Sequence, residues 1–237
     1  MLSLIKKKIL KILKFYLHDI DELKFQIGNS YFGLLNYEIT NKARIDDFSY
    51  KVFSQNGEDG IIDFLLSTLK ISSPKFVEIG VEDYTECNTR YIFQRHNASG
   101  LIIDGTKNLL KKVQNNPYYF KKDLRVHNEY ISSENIFDIL TKQNFISDVD
   151  LFSIDIDGID YWILDSLPVN YFKIVVVEYN PLFSDKEITV PNIKNFDRRK
   201  YHFSNLCYGM SLKAAINLLV KKDMIFIGSN DLKNNAF

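Results

Sequence analysis

The chain has 237 residues, of which 46% are hydrophobic and 25% are charged. This composition is typical of a folded globular protein with one main domain, and it excludes a disordered chain. Thirty Lys and Arg residues balance 30 Asp and Glu residues, so the chain lacks the excess positive charge that dominates nucleic-acid binding. We therefore expect no nucleic-acid partner.

The N-terminal segment differs from the rest of the chain in charge. Residues 1–17 contain five lysines and no acid, and their apolar residues recur at helical spacing, which predicts a basic amphipathic helix. Its apolar stripe either packs on the body or on a second subunit, or it lies on the inner face of a membrane. From residue 19 to about 50, Gly28 and Gly33 interrupt an aperiodic segment. We predict short helices and loops there, and an N-terminal helical extension over residues 1–50.

Residues 51–237 alternate short β-rich runs with segments of helical period, which is typical of a mostly parallel sheet with helices on both faces. The sequence predicts helices at 60–69, 88–97, 107–115, 133–141 and 211–222, and strands at 75–79, 100–104, 118–121, 150–156, 173–179 and 224–228. The strands at 150–156 and 173–179 are the most apolar, as expected for strands buried on both faces. The predicted fold class is α/β, of Rossmann-like type.

The cysteines and the hydrophobic runs bear on location. Cys87 and Cys207 lie far apart and have no metal-ligand spacing to a histidine, so neither a disulfide framework nor a zinc site is predicted. Charged residues interrupt every hydrophobic run before the roughly 18 residues that a spanning helix needs. We expect a cytoplasmic protein without a membrane-spanning helix.

Carboxylates concentrate where the first two predicted strands end, the region in which doubly wound sheets bind ligands. The first strand ends at Glu78 and is followed by Gly80, and the second ends at Asp104. An acid about 20 residues after such a glycine suits the hydroxyls of a ribose. The loop after the glycine carries three more acids, Glu82, Asp83 and Glu86.

This acidic loop disfavours phosphate-containing ligands. It lacks the further glycines of a dinucleotide fingerprint, and two like charges about 4 Å apart at an effective dielectric constant near 20 repel by about 4 kcal/mol. NAD and nucleotide triphosphates are therefore disfavoured. A cofactor with a ribose, a positive charge and no phosphate suits the loop better, and S-adenosylmethionine has these properties.

Two of these acids also have structural interpretations. Asp104 could cap a helix that begins near Lys107, since acids are common at that position. Glu78 could form an ion pair with Arg90 or Lys75, because a buried carboxylate needs a partner.

Four strand-end motifs, FVEIGVEDYTECNTRYI, GLIIDGT, DLFSIDIDGIDYWIL and VVVEYNP, follow the segment FSQNGEDGII. In order and spacing they resemble FkbM-like S-adenosylmethionine-dependent methyltransferases from about residue 53 to 228. The resemblance implies a class I methyltransferase fold and O-methylation of a sugar, or of a phosphoramidate- or phosphate-linked precursor, in bacterial capsule or surface-polysaccharide biosynthesis. The alternatives are a non-catalytic cofactor-binding scaffold that partners another enzyme, and a nucleotide-sugar or nicotinamide enzyme. The loop 81–83, Val-Glu-Asp, departs from the Gly-x-Gly of many methyltransferases.

The resemblance assigns one group of residues to the methionine end of the cofactor. Glu78 would line the methionine, and Asn88 and Thr89 would hold its carboxylate end. Gln55 and Glu58 would close the same side of the site.

A second group is assigned to the adenosine and the reacting methyl. Gly80 would line the adenosine, Asp104 with the following Gly105 would bind the ribose, and Asp123 would lie near the adenine. In the interpretation without a bound metal ion, Asp155 would face the transferred methyl and the acceptor.

The densest acidic cluster follows the strand at 150–156. Alternation along the strand end directs Asp155 and Asp157 to one side, where Glu178 and Asn180 of the next strand end could join them around a divalent cation. In the metal-free alternative, Asp157 and Asp160 cap the following helix.

Two candidates for the base that deprotonates an acceptor hydroxyl are Asp155 and His202. The histidine lies in a long segment before the last helix, where methyltransferases build their acceptor pocket. Its alternative is an ordinary surface histidine.

Overall fold

The protein is described by a computed structural model over residues 2–38, 44–114, 119–230 and 232–237. The α-helices of these residues are α1 (Leu2–Glu38), α2 (Glu58–Thr68), α3 (Arg90–Arg95), α4 (Leu109–Gln114), α5 (Ile136–Lys142), α6 (Asp160–Ser166), α7 (Arg198–Tyr201) and α8 (Leu212–Val220). The strands are β1 (Lys75–Ile79), β2 (Ser99–Ile103), β3 (Leu124–His127), β4 (Leu151–Ile154), β5 (Ile174–Glu178) and β6 (Asn235–Ala236). Short 3-10 helices cover Ile45–Phe48, Tyr119–Lys121, Val169–Tyr171 and Pro181–Phe183.

The six strands form one sheet in the order β3-β2-β1-β4-β5-β6. The first five are parallel, and β6 runs antiparallel to β5. Phe76 and Val77, neighbours on β1, enter the hydrophobic cores on opposite faces of the sheet, as the alternation of a strand requires. Helices α5, α6 and α8 cover one face, and α2, α3 and α4 cover the other. The predicted α/β fold is confirmed, and the strand order reverses between β1 and β4, where such sheets bind ligands.

Two strand predictions were wrong. The third strand is Leu124–His127, because its backbone pairs in register with residues 100–103 of β2; residues 119–121 of the predicted strand form a 3-10 helix, and residue 118 lies outside the described residues. Residues 224–228 form no named strand, because the place beside β5 belongs to β6, where Ala236 pairs with Val177.

The N-terminal helix is longer than predicted and runs through both glycines. Gly28 is buried, and a Cβ at this position would lie 2.5 Å from Val52 Cγ2 and 3.2 Å from Tyr91 Cε2. The glycine therefore lets the helix backbone approach the body closely, and the prediction of short helices and loops was wrong up to residue 38. Residues 39–43 lie outside the described residues. Among the described helices, none is both long and apolar enough to cross a membrane.

Candidate functional site

A cleft of about 380 Å³ opens at the carboxyl ends of β1, β2 and β4. Its acidic lining residues are Glu78, Glu82, Asp83, Glu86, Asp104, Glu129, Asp155 and Asp157. No Lys, Arg or His occurs among the described residues that line it. The cleft therefore carries a negative potential that favours a cation and disfavours a polyphosphate.

Gly80 forms the floor of the cleft where β1 ends. Its φ is +89°, and a Cβ at this position would lie 1.7 Å from the backbone oxygen of Asp155. The Gly80 amide donates to Ile103 O at 3.0 Å, which extends the pairing of β1 with β2. Only glycine fits this backbone conformation and this contact, so Gly80 lets the end of β1 pack directly against the backbone of Asp155, which follows β4.

Glu78 is buried at the end of β1 and lines the cleft. Its carboxylate accepts hydrogen bonds from Asn88 N at 2.8 Å, Thr89 N at 3.0 Å and Thr89 Oγ1 at 2.5 Å. Burial raises the pKa of Glu78 to about 7. Lys75, one of the two cations considered as an ion-pair partner of Glu78, instead donates from its Nζ to the backbone oxygen of Ser147. The groups shown to bind Glu78 are thus amides and a hydroxyl, and they secure the start of α3.

Asn88 and Thr89, assigned together by the resemblance, have different positions. Asn88 lines the cleft, and its Nδ2 donates to Ser153 Oγ at 3.1 Å. Thr89 is fully buried and lies outside the cleft lining, with Oγ1 also within 2.9 Å of Tyr84 Oη. The prediction that Thr89 contacts the cofactor was therefore wrong; it binds Glu78 instead.

Gln55 and Glu58, also assigned together by the resemblance, likewise have different positions. Gln55 lines the cleft, and its contact with the methionine end of the cofactor stays a prediction. Glu58 is fully buried outside it, and its Oε1 accepts from Asn230 Nδ2 at 2.7 Å and Asn235 Nδ2 at 2.8 Å. Glu58 therefore joins α2 to the C-terminal hairpin, in which residues 228–230 pair with residues 235–237. Its predicted contact with the cofactor was wrong. The short-range pattern could not show this, because both partners lie at the other end of the chain.

Asp104 lies at the cleft rim after β2. Its Oδ2 accepts from Glu82 N at 2.8 Å, and its Oδ1 accepts from Thr106 N at 2.6 Å. These bonds hold together the two loops that border the cleft, and each carboxylate oxygen retains a second acceptor site for a ligand hydroxyl. Gly105 lines the cleft beside Tyr130, whose ring would be 2.5 Å from a Cβ at Gly105. The sequence analysis missed this tyrosine.

Asp123 lies at the opposite edge of the sheet. Its backbone oxygen accepts from Gly100 N at 2.9 Å, at the beginning of β2. Because β3 starts after Asp123 rather than before it, this residue is at the amino end of the strand. Its predicted position near the adenine was therefore wrong.

Asp155, Asp157 and Glu178 come together as predicted, each with one carboxylate oxygen within 4.8 Å of the others. Asp155 and Glu178 share a hydrogen bond. Burial raises the pKa of Asp155 to about 7, and burial together with repulsion from Asp155 raises the pKa of Glu178 further. The pair therefore retains a proton at neutral pH.

The third acid of this group has a cationic partner. Asp157 forms an ion pair with Arg198 Nη1 of α7, and the guanidinium carbon lies 5.0 Å from the centre of the Tyr208 ring. The sequence analysis missed Arg198, because 41 positions separate the partners. Asp157 therefore does not cap α6.

Asn180, which could have completed the predicted metal site, and Asp160, which was predicted to cap α6 in the metal-free alternative, have structural roles. Asn180 is fully buried; its Oδ1 accepts from Leu182 N at 3.1 Å, and its Nδ2 donates to Leu206 O at 2.8 Å. Its predicted role as a metal ligand was therefore wrong. Asp160 accepts from the amides of Ile156 and Gly158, both at 3.0 Å, which shapes the turn before α6.

His202 is exposed at the end of α7 and lies outside the cleft lining. Its Nδ1 is 2.7 Å from Ser204 Oγ. The prediction that it acts as the base was therefore wrong for this arrangement, and its alternative as a surface histidine fits. Asp155, which lines the cleft, is the remaining candidate.

No protein-family model matches the chain, and no curated protein matches it. Among solved structures, it is similar to the N-terminal domain of EvdMO1 with SAH bound, at 10% identity over 73% of this chain and 76% of that one, with a TM-score of 0.45. It is also similar to an S-adenosylmethionine-dependent methyltransferase from Clostridium acetobutylicum ATCC 824, at 7% identity over 89% and 96%, TM-score 0.45. A third is the pyocyanin biosynthetic protein PhzM, at 14% identity over 73% and 51%, TM-score 0.42.

Proposed function

We propose that this chain is an S-adenosylmethionine-dependent methyltransferase. The observation that carries the proposal is the acidic cleft at the carboxyl ends of β1, β2 and β4, with no basic side chain among its described lining residues. A sulfonium cofactor is cationic and contains a ribose but no phosphate, so its charge complements this lining. The same lining argues against the nicotinamide and nucleotide-sugar alternatives, whose phosphates it would repel.

The described cleft residues fit such a cofactor group by group. Asp104 offers acceptor sites at the rim for two ribose hydroxyls. Gly80 lines the cleft, and we assign it to the adenosine. Gln55, Glu78 and Asn88 line the side that we assign to the methionine end.

Bound S-adenosylmethionine supplies an electrophilic methyl group for in-line transfer. Asp155 lines the cleft and shares a proton with Glu178, so its carboxylate is placed to accept a proton from an acceptor hydroxyl. Positioning of the two reactants provides most of the acceleration in this proposal. From the resemblance in the motifs, we propose an acceptor that is a sugar or a phosphoramidate- or phosphate-linked precursor of a bacterial capsule or surface polysaccharide.

A divalent cation is a second proposal at the same acids. Asp155, Asp157 and Glu178 offer three oxygens of the type that hard cations prefer. The ion pair of Asp157 with Arg198 and the proton shared by the other two acids compete with such an ion. Calorimetric titration with Mg²⁺ tests this proposal, and we expect heats of binding for the wild type that are lost in Glu178→Gln. Equal heats for the two proteins would contradict it.

Calorimetric titration with S-adenosylmethionine and S-adenosylhomocysteine tests the main proposal. We expect binding of both, and at least about tenfold weaker binding by Asp104→Ala, because loss of hydrogen bonds to a charged group costs about 1.5–3 kcal/mol. Asp123→Ala is the matched control, since it removes the same side chain at the opposite edge of the sheet.

The alternatives predict other results. Tight NADH binding with no binding of either sulfur compound would contradict the proposal. Equal affinities of Asp104→Ala and the wild type would contradict the ribose assignment. A scaffold would bind the cofactor but transfer no methyl group in a screen of saccharide precursors, where the proposed enzyme would produce S-adenosylhomocysteine.

A further inference from the structure

Helix α1 carries an exposed apolar stripe along much of its length. The stripe consists of Ile9, Leu13, Tyr16, Ile20, Leu23 and Ile27, each between 47% and 67% exposed. Their spacing alternates between four and three residues over three heptads. Such a repeat is the seam of a coiled coil, whereas a helix that packs on a globular core usually has a broader stripe with a period near 3.6.

A different face of α1 attaches the helix to the body. Asp21 forms an ion pair with Arg90 at 2.5 Å, and Phe25 packs edge-on against Tyr91 with ring centres 5.8 Å apart. Gly28 lies on the same face, at its close contact with the body. Packing within the chain therefore occupies one side of the helix and leaves the apolar stripe exposed.

We propose that this stripe forms a parallel, in-register, two-stranded coiled coil with a second copy of the chain. In heptad terms, Leu13, Ile20 and Ile27 occupy a positions, and Ile9, Tyr16 and Leu23 occupy d positions. Ile20 and Ile27 at a, with Leu23 at the d position between them, match the combination of isoleucine at a and leucine at d that favours two strands. From Ile9 to Ile27 the stripe extends over about 28 Å of helix.

Charge complementarity at the flanks selects the parallel arrangement. Asp19 occupies a g position and Lys24 the e position five residues later, and both side chains are exposed. In a parallel, in-register pair, g of one helix faces e of the next heptad on the other helix. Asp19 of each copy therefore faces Lys24 of the other copy, which gives two symmetric ion pairs. In an antiparallel pair g faces g, and the two aspartates would repel each other.

The same charges disfavour a membrane as the partner. Asp19 and Glu22 are both exposed and lie within one turn of the helix. Membrane-surface helices concentrate Lys and Arg on the polar face, because anionic lipids repel carboxylates. The lysine-rich part of α1 lies closer to its N-terminus, and the stripe continues beyond it.

Sedimentation velocity of the full 237-residue chain tests the proposal. We expect a mass of twice 27.7 kDa at micromolar concentration, falling to one copy in the variant Ile20→Glu/Ile27→Glu. Leu110→Glu is the matched control, because it places the same charge on a 44% exposed apolar residue of α4, and we expect it to remain dimeric. Circular dichroism verifies that all three proteins are folded. A monomeric wild type, or a double variant that is folded and still dimeric, would overturn the proposal.

A charge exchange tests orientation and register. Asp19→Lys alone creates two Lys–Lys contacts, and Lys24→Asp alone creates two Asp–Asp contacts, so each is expected to dimerise at least tenfold more weakly. An equimolar mixture of the two variants pairs opposite charges and is expected to recover the dimer. Failure of the mixture to associate more tightly than its components would overturn the parallel arrangement. Vesicles of phosphatidylserine and phosphatidylcholine test the competing partner: sedimentation of monomeric wild type, lost in Ile20→Glu/Ile27→Glu, would assign the stripe to lipid.

Discussion

The carboxylates around the sheet belong to two groups with different partners. Asp59 and Glu78 accept several backbone amides each. Asp155 and Glu178 instead face one another, and Asp157 faces Arg198. The first group uses its charge to close loops and secure helix starts. The second group places negative charge and a shared proton beside the cleft, where both can interact with a bound ligand.

This difference shows that the density of acids in a sequence does not reveal what an acid does. A carboxylate surrounded by amide donors is satisfied, and its removal leaves donors unpaired in the protein interior. A carboxylate that faces another carboxylate is compensated only by a proton or a bound cation. Substitutions in the first group should therefore reduce mainly the stability of the fold, and substitutions in the second group should reduce mainly ligand binding.

The largest expected effect is on the amide-bound group. Asp59 Oδ2 accepts from the amides of Val52, Phe53 and Ser54, each at 2.7 Å. Asp59→Ala leaves these donors buried and unpaired, so we expect the free energy of unfolding to fall by about 4 kcal/mol. Asp155→Asn, the counterpart at the cleft, should change it by less than about 1 kcal/mol, since an amide can still donate to Glu178. Urea denaturation measures both, and equal losses would contradict the distinction.

An intermediate effect is expected at Gly80, which closely follows Glu78 of the first group and contacts the backbone of Asp155 of the second. Gly80→Ala brings a Cβ against the Asp155 backbone oxygen at a positive φ. We therefore expect the free energy of unfolding to fall by about 2–3 kcal/mol, and we expect weaker binding of S-adenosylhomocysteine. Gly209→Ala is the control, because its φ is +61° and no atom lies within 4 Å of the added Cβ. It should lower the free energy of unfolding only by the cost of placing an alanine in the left-handed backbone conformation, about 1 kcal/mol, and it should leave binding intact. Urea denaturation and calorimetry compare the two, and similar effects on binding would contradict the close approach at Gly80.

The smallest effect is the pH dependence of the cleft pair. Asp155 has a folded-state pKa of about 7, whereas an unfolded carboxyl group titrates near 4. The folded state therefore binds the proton more tightly, so this stabilisation is complete below about pH 4 and is lost as the pH rises through about 7. We expect the free energy of unfolding to fall by about 1 kcal/mol between about pH 6 and pH 7. Asp155→Asn removes the titrating group and should flatten this dependence; an unchanged slope would show that Asp155 is not its source.

Much of the fold could be predicted because it follows from short-range patterns. The apolar runs around Val77, Ile102 and Val176 predict buried strands, and alternation with helical segments predicts a parallel sheet. The third strand and the sheet position beside β5 could not be predicted. They depend on which backbone pairs with β2 and β5, and hydrogen bonding between distant segments leaves little signal in local sequence.

The same division applies to the candidate site. Residues at strand ends, such as Gly80, Asp104 and Asp155, could be placed at the cleft because all parallel strands end at one edge of a sheet. The patterns of charge and hydrophobicity are local properties, and they established the fold class and the acidic edge. Only the tertiary structure separated Glu58, which binds the C-terminal hairpin, from the acids of the cleft, and only it brought Arg198 to Asp157. The reason is physical: the role of a buried charge depends on the groups that surround it, and these come from distant parts of the chain.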